Sequence, residues 1–293
     1  MKILITGSNG QLGNELQDII KKGYSEIGEI SQTIKSSKVI AVDRNNLDIT
    51  DELQVKKFIT AEKPDVVINC AAYTNVDKCE ECKDMAYDVN ANGTKYLAKA
   101  CESIDAKFVQ VSTDYVFEGV GNVPFVEDSK LNPQSEYGRG KLAGEEFTKE
   151  FCKKHYIVRT AWLYGYVGNN FVYTMRNLGA TKESLMVVDD QRGNPTNAND
   201  LAHHILRMIE TENYGVYHCT GKGECSWYDF ATEIMRLSNL DCKVNPCTTE
   251  EFPRPAKRPE YSSLDNKMLR ETIGDDMRDW KEALKTFINN VDK

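Results

Sequence analysis

Short apolar runs alternate along the first half of the chain with longer stretches in which apolar residues recur every three or four positions. The short runs suit strands buried on both faces, and the longer ones suit helices that bury one stripe against a sheet. Residues 3–6 read as the first strand and 11–21 as the first helix. A polar insertion at 23–37 precedes a second strand at 39–43. Thr50 is placed to cap the next helix, with Asp51 and Glu52 in its first turn and Pro64 ending it. Strands follow at 65–69, 108–112 and 157–160, separated by helices at 83–101 and 137–152. Past Trp162 the rhythm loosens. Val187-Val188, a helical stretch at 198–209 and a strand at 216–219 are expected to return to the sheet. Two further helices, 227–237 and 280–291, sit among turn-rich segments.

Strand–helix alternation of this kind predicts an α/β fold with a parallel sheet. Composition agrees: of 293 residues, 40% are hydrophobic and 28% charged, ordinary for a globular protein with a full core. The net charge of -8 argues against a phosphate-backbone partner, so no nucleic acid is expected. No apolar run approaches spanning length, and Met1 leads at once into the first strand, leaving no room for a secretory segment. The expectation is a cytoplasmic protein with no membrane contact. Its nine cysteines then read as reduced thiols. Cys79 and Cys82 form a lone C-x-x-C, half of a tetrahedral site, and the four histidines show no ligand spacing, so no metal is expected.

Between the first strand and helix lies Gly7-Ser8-Asn9-Gly10-Gln11-Leu12-Gly13. Glycines there permit a tight turn and close approach of backbone to a diphosphate, facing the unpaired N–H groups of a helix N-terminus. The spacing is G-x-x-G-x-x-G, and its place at the first strand–helix junction points to a dinucleotide. Asp43 ends the second strand, where a carboxylate accepts from adenosine ribose hydroxyls; Arg44 beside it suits a 2′-phosphate. A plain turn Asp with an exposed Arg is the alternative. The fold class is therefore a Rossmann-type doubly wound parallel sheet with a smaller, interleaved C-terminal substrate region. Residues 1–165, rejoined by about 187–220, form the nucleotide-binding domain; 166–186 and 221–293 form the substrate-binding region.

Tyr137 and Lys141 stand at i and i+4 near the start of a helix and so share one face. A free phenol titrates near 10, too high for efficient proton transfer at neutral pH, and a neighbouring ammonium is expected to lower it. The pair follows Val111-Ser112-Thr113-Asp114-Tyr115-Val116-Phe117, where a strand ends in hydroxyls at the carboxyl edge of the sheet.

Together the glycine loop, the hydroxyl pair and Y-x-x-x-K resemble the extended short-chain dehydrogenase/reductases. Residues 112–117, Arg159-Thr160-Ala161-Trp162, Gly168-Asn169-Asn170-Phe171, Asp190-Gln191, Pro195-Thr196 and Arg258-Pro259 ahead of Ser262 resemble the dTDP-4-dehydrorhamnose reductase family in particular, over nearly the whole chain. The resemblance implies an NADH- or NADPH-dependent reductase of a small sugar nucleotide. It implies Tyr137 as proton donor, Thr113 as partner of the substrate carbonyl, and Lys141 on the nicotinamide ribose. Gly7, Asn9, Gly10, Gln11, Leu12 and Gly13 would cradle the diphosphate, with Asp43 and Arg44 beyond them. Asp48 and Ile49 would flank the adenine, and Ala71, Ala72 and Thr74 would line the cofactor groove. Asn90 would support the site. Tyr115, Val116, Trp162, Asn170 and Arg258 would meet the substrate.

Bland readings stand beside these: Trp162 as core, Asn169-Asn170 as a turn, and Arg254, Lys257 and Arg258 as a solvated patch. Some relatives pair subunits through magnesium held by glutamates. Glu15 matches one such position, but Asn199 stands at the other, so no metal is expected there and a homodimer stays open. Rival functions are a dehydratase or epimerase that recycles its nicotinamide, or a binding subunit like that of methionine adenosyltransferase. Tyr115 occupies the place where the dehydratases carry a glutamate.

Overall fold

Strand β1, Lys2–Thr6, carries the plan of the molecule. Ile3 and Ile5 pack on one side of the sheet with Leu12, Leu16 and Ile19 of helix α1 (Gln11–Lys22), whereas Leu4 packs on the other with Val55 and Ile59. Alternate residues of a strand point to opposite faces, so a run apolar at every position fills two helix layers at once. This computed structural model describes residues 1–292. Five more strands complete a wholly parallel sheet: β2 (Lys38–Val42), β3 (Val66–Asn69), β4 (Lys107–Thr113), β5 (His155–Thr160) and β6 (Gly215–His218), in the order β6-β5-β4-β3-β1-β2. The order reverses between β1 and β3, which opens a crevice outside their carboxyl ends.

Helix α2 (Glu52–Glu62) is capped by Asp51, whose carboxylate accepts from Gln54 N at 3.0 Å. Thr50, expected to cap it, instead gives its hydroxyl to Asp48 at 2.7 Å. Helix α3 covers 83–103 but is interrupted by a π turn at Asp88–Asn92, a feature that recurs at functional sites. A short helix, Val76–Glu81, precedes it and was not anticipated. The polar insertion holds a small hairpin, Tyr24–Ser25 with Gly28–Glu29, and a helical turn, Gln32–Lys35.

Helix α4 (Glu136–Phe151) follows β4. Beyond β5, helix α5 (Phe171–Gly179) was also unanticipated, while α6 (Ala198–Met208) packs on the sheet with α1. Val187 and Val188 do not return to the sheet. They end Ser184–Val188, which pairs in parallel with Lys243–Cys247 in a separate two-stranded ribbon. That ribbon, α5, α7 (Trp227–Leu237) and α8 (Trp280–Val291) gather around Phe230, Trp280 and Phe287 as a second core. Among the described residues no helix is long and apolar enough to cross a membrane.

Candidate active site

A cavity of about 1080 Å³ runs from the glycine loop along the carboxyl ends of the strands to the second core. Its first part is shaped by what is missing. Gly7 sits at φ +63°, and a Cβ there would lie 2.6 Å from Ala71 N; a Cβ on Gly13 would lie 2.5 Å from Gly7 O. Gly10 precedes α1, and no side chain caps the helix's first turn. The bare backbone and free helix end fit an anion, and a side chain at 7 or 13 would fill the cradle. Asn9, Gln11 and Leu12 line the same wall.

Asp43 lies just past β2 with both oxygens engaged. Asn9 Nδ2 donates to Oδ2 at 2.8 Å, and the Asn45 and Asn46 amides donate to Oδ1 at 2.9 and 3.3 Å. Arg44 is exposed, its Nε 3.5 Å from Asp48 Oδ2. Hydrogen bonds from Thr50 hold the Asp48 carboxyl below its ordinary value. Ile49, Ala71, Ala72 and Thr74 complete this end. Asn90, in the π turn, brackets the backbone of Tyr73, accepting from its N–H at 2.9 Å and donating to its carbonyl at 3.1 Å.

Tyr137 and Lys141 enter from α4, whose cap Ser135 accepts from Gly138 N at 3.1 Å. Gly138 looks like a weak helix residue, yet any Cβ there would strike Tyr115 O. That glycine lets the helix lie against the Thr113–Val116 segment, so Tyr137, Thr113 and Tyr115 line one wall. The Tyr115 and Tyr137 rings meet edge to face with centroids 5.4 Å apart.

The ionisation of the pair departs from expectation. Burial pushes the Tyr137 phenol above its ordinary value, the Asp114 carboxylate adds to this, and the Thr113 hydroxyl only partly offsets it. The Lys141 ammonium does not lower it. That amine is itself buried and donates to Val111 O at 2.6 Å, and burial brings it down to about 8. A phenol that keeps its proton suits a donor. Thr113 Oγ1 donates to Asp114 Oδ1 at 2.7 Å, and burial raises the Asp114 carboxyl to about 6.

At the far end Trp162 holds a left-handed backbone, φ +48°, rare for a bulky residue. Its indole stacks on Trp227 at 3.5 Å and donates to Ser262 Oγ at 3.2 Å. It belongs to the cavity wall and to the second core's margin alike. Such strain persists where surrounding packing dictates it, as at ligand sites. Arg258 reaches the cavity and donates to the Tyr115 hydroxyl at 3.1 Å.

Two expected residues lie elsewhere. Val116 is fully buried among Phe117 and Leu264, because the turn after Thr113 directs it into a core. Asn170 caps α5, accepting from Tyr173 N at 3.1 Å, and its amide donates to Gly165 O at 2.9 Å and to Gln11 Oε1 at 3.1 Å, so it sits behind the cavity wall and bonds to a residue of the glycine loop. Conversely, Asp77, Asp114 and Glu145, not singled out from the sequence, bond to Arg258, Thr113 and Ser112 respectively. Asp114 had a signal, its place in the Ser112–Phe117 element; Asp77 and Glu145 had none beyond their sequence neighbours.

Comparison with known proteins places the chain among relatives of known kind. A model of the RmlD substrate binding domain matches residues 1–293. The spore coat polysaccharide biosynthesis protein SpsK of Bacillus subtilis (strain 168) is 41% identical over 288 residues, covering 98% of this chain and 96% of the relative. The crystal structure of a dTDP-4-dehydrorhamnose reductase from Clostridium acetobutylicum superposes with a TM-score of 0.95 at 56% identity, covering 100% of both chains. One from Bacillus anthracis, in complex with NADP, superposes at 0.92 with 41% identity and 99% of each chain covered. The chain belongs to the RmlD substrate-binding-domain family, that of the dTDP-4-dehydrorhamnose reductases, within the extended short-chain dehydrogenase/reductases.

Proposed function

We propose that this protein reduces the 4-keto group of a nucleotide-linked deoxysugar, dTDP-4-dehydrorhamnose, to give dTDP-rhamnose at the expense of NADH or NADPH. The observation that carries the reading is one cavity holding a bare glycine cradle at one end, Thr113, Tyr137 and Lys141 at its centre, and Arg258 with Trp162 at the other. When bound, the reduced nicotinamide supplies a hydride to the carbonyl carbon.

Each residue then has a task. The loop 7–13 and the α1 terminus hold the diphosphate, and Lys141 meets the nicotinamide ribose. Thr113, whose hydroxyl proton goes to Asp114 Oδ1 in this structure, turns it to the ketone oxygen when substrate binds, and so orients that oxygen. The Tyr137 O–H bond breaks as its proton passes to that oxygen, where negative charge develops. Arg258 receives the sugar nucleotide's diphosphate, and Trp162 walls the sugar. In this reading 1–165 serve as the nucleotide-binding unit and 166–186 with 221–293 cover the substrate. All nine cysteines are unpaired, which supports a cytoplasmic location. The product is an activated sugar of the kind consumed in making surface polysaccharide.

The test is to mix the purified protein with NADPH and dTDP-4-dehydrorhamnose and follow the absorbance of reduced nicotinamide. One equivalent consumed per ketone reduced is expected. A steady signal with substrate turning over would mean a cofactor-recycling epimerase or dehydratase, and no turnover at all would mean a different substrate or a binding subunit.

A further inference from the structure

Across the cavity mouth one carboxylate gathers three groups from a single loop. Asp77 lies in the first turn of the short helix Val76–Glu81, which follows β3. Its Oδ2 is 2.8 Å from Arg258 Nη2 and 4.0 Å from Arg254 Nη1, and its Oδ1 accepts from Ala256 N at 3.3 Å. The loop so held carries no helix or strand of its own between 248 and 260. It also bears Phe252, over whose ring the Arg254 guanidinium sits at 4.7 Å. A proline-broken segment with two arginines would otherwise spread over many conformations, and ordering a long arginine side chain costs rotamer entropy.

The bond network continues inward. Arg258 gives Nη2 to Asp77 and Nη1 to the Tyr115 hydroxyl, so its planar fork is fixed at two points. Tyr115, accepting from Arg258, has its own O–H left to donate, and it stands edge-on to Tyr137. Both Arg258 and Arg254 line the cavity.

We infer that Asp77 is a positioning residue for substrate recognition: it preorganises Arg258, and through Arg258 the Tyr115 hydroxyl, to receive the diphosphate of the sugar nucleotide. This rests on the reading above that Arg258 meets that diphosphate. A carboxylate beside a cation that must bind an anion both repels the ligand and orders the cation. Here ordering prevails, because the ion pair is only partly exposed and Arg258 keeps further N–H donors free when two are engaged.

Four kinetic comparisons decide the matter: wild type, Asp77→Asn, Arg258→Ala and the double variant, each with KM and kcat for sugar nucleotide and KM for NADPH. Asparagine keeps the shape of Asp77 and an oxygen for the Ala256 amide, but turns an amide N–H2 toward Arg258 and so removes both the charge and the acceptor that hold it. Asp77→Asn is expected to raise the sugar-nucleotide KM by about tenfold, leave kcat within about twofold, and leave the NADPH KM unmoved. The double variant should match Arg258→Ala, since both lesions act through one group. Binding of dTDP alone, by titration calorimetry, should weaken in parallel, and Asp77→Ser should repeat the pattern should the asparagine variant not fold. An unmoved or lowered KM in Asp77→Asn, with KM raised in Arg258→Ala, overturns the positioning role and leaves the diphosphate contact standing. Additive effects, a loss confined to kcat, or a loss of NADPH affinity overturn it equally. If Arg258→Ala itself leaves KM unchanged, it is the diphosphate assignment that fails.

Discussion

Glu145 and Arg159 form a two-bonded ion pair with almost no solvent contact: Nε meets Oε1 at 2.9 Å, Nη2 meets Oε2 at 2.7 Å, and their side chains are 0% and 1% exposed. Ser112 Oγ donates to the same Oε1 at 2.6 Å, and Arg159 Nη1 donates to Glu127 O at 3.0 Å. Glu145 stands one turn after Lys141 on α4, Arg159 on β5 and Ser112 on β4. The network therefore fastens the helix bearing Tyr137 and Lys141 to the two strands whose ends face the cavity.

Removing one partner leaves the other charge buried and unpaired. Arg159→Met should destabilise the fold by about 3–5 kcal/mol, and Glu145→Gln combined with Arg159→Met should recover part of that loss. Urea denaturation of the two variants beside wild type measures this. A single variant within 1 kcal/mol of wild type, on the scale of a surface pair, would show that the pair is not what holds α4 in place.

Cofactor choice turns on Asp43 and Arg44. Asp43 has three donors of its own, and its charge repels a 2′-phosphate by up to roughly 4 kcal/mol at close range and an effective dielectric near 20. Arg44 holds Asp48 only by an exposed contact, worth roughly 0.2–1 kcal/mol, and is easily recruited to a phosphate. Both cofactors are therefore expected to work. Arg44→Ala should lower kcat/KM for NADPH by about tenfold while sparing NADH, and Asp43→Asn should favour NADPH. Steady-state kinetics with each cofactor checks both; equal losses for NADH and NADPH would remove Arg44 from selection.

The sheet was legible because β1, β3, β4 and β5 each hold consecutive apolar residues, Ile3-Leu4-Ile5, Val66-Val67-Ile68, Phe108-Val109 and Tyr156-Ile157-Val158, as strands covered on both faces need. Gly7, Gly13, Thr113, Tyr137 and Lys141 were legible because each occupies a fixed place relative to a strand end. What escaped was set by contacts distant in sequence. Val187 and Val188 find their partner about sixty residues later, in Lys243–Cys247, a pairing no local pattern encodes. Asp77 meets a loop some 180 residues downstream, and Glu145 pairs with a strand whose Arg159 looks like any charged residue. Tyr137's raised phenol depends on how deeply the helix beds against Tyr115, which Gly138 permits and a helix propensity scale counts only as a weakness.

Gly13 lies in α1 with no positive φ, so substitution there is a matter of space. A Cβ would sit 2.5 Å from Gly7 O and 2.8 Å from Ser8 Cα, both backbone atoms of the cradle. Gly13→Ala should push that loop outward and weaken NADPH binding by at least about tenfold, some 1.4 kcal/mol. Fluorescence titration with NADPH reads it. Unaltered affinity would mean that the loop yields without cost, and that it does not grip the diphosphate.

The last prediction separates Tyr137 from Lys141 by pH. Burial lowers Lys141 to about 8, whereas it raises the Tyr137 phenol beyond the working range. Below pH 8 Lys141 is an ammonium able to donate to a ribose hydroxyl; as pH climbs through 8 the proton leaves and that donor weakens. Tyr137 keeps its proton throughout, so it cannot set a limb there. The value of kcat/KM for NADPH, which reports ionisations of the free enzyme, should therefore fall as pH rises through about 8. Lys141→Arg retains its charge over this range and should abolish that limb, at some cost in geometry. Tyr137→Phe should lower kcat by about 10²–10⁴ while leaving the limb where it was, since it removes the acid and not the ammonium. A limb that survives in Lys141→Arg but vanishes in Tyr137→Phe would reverse the assignment, making the phenol the group that titrates near neutrality.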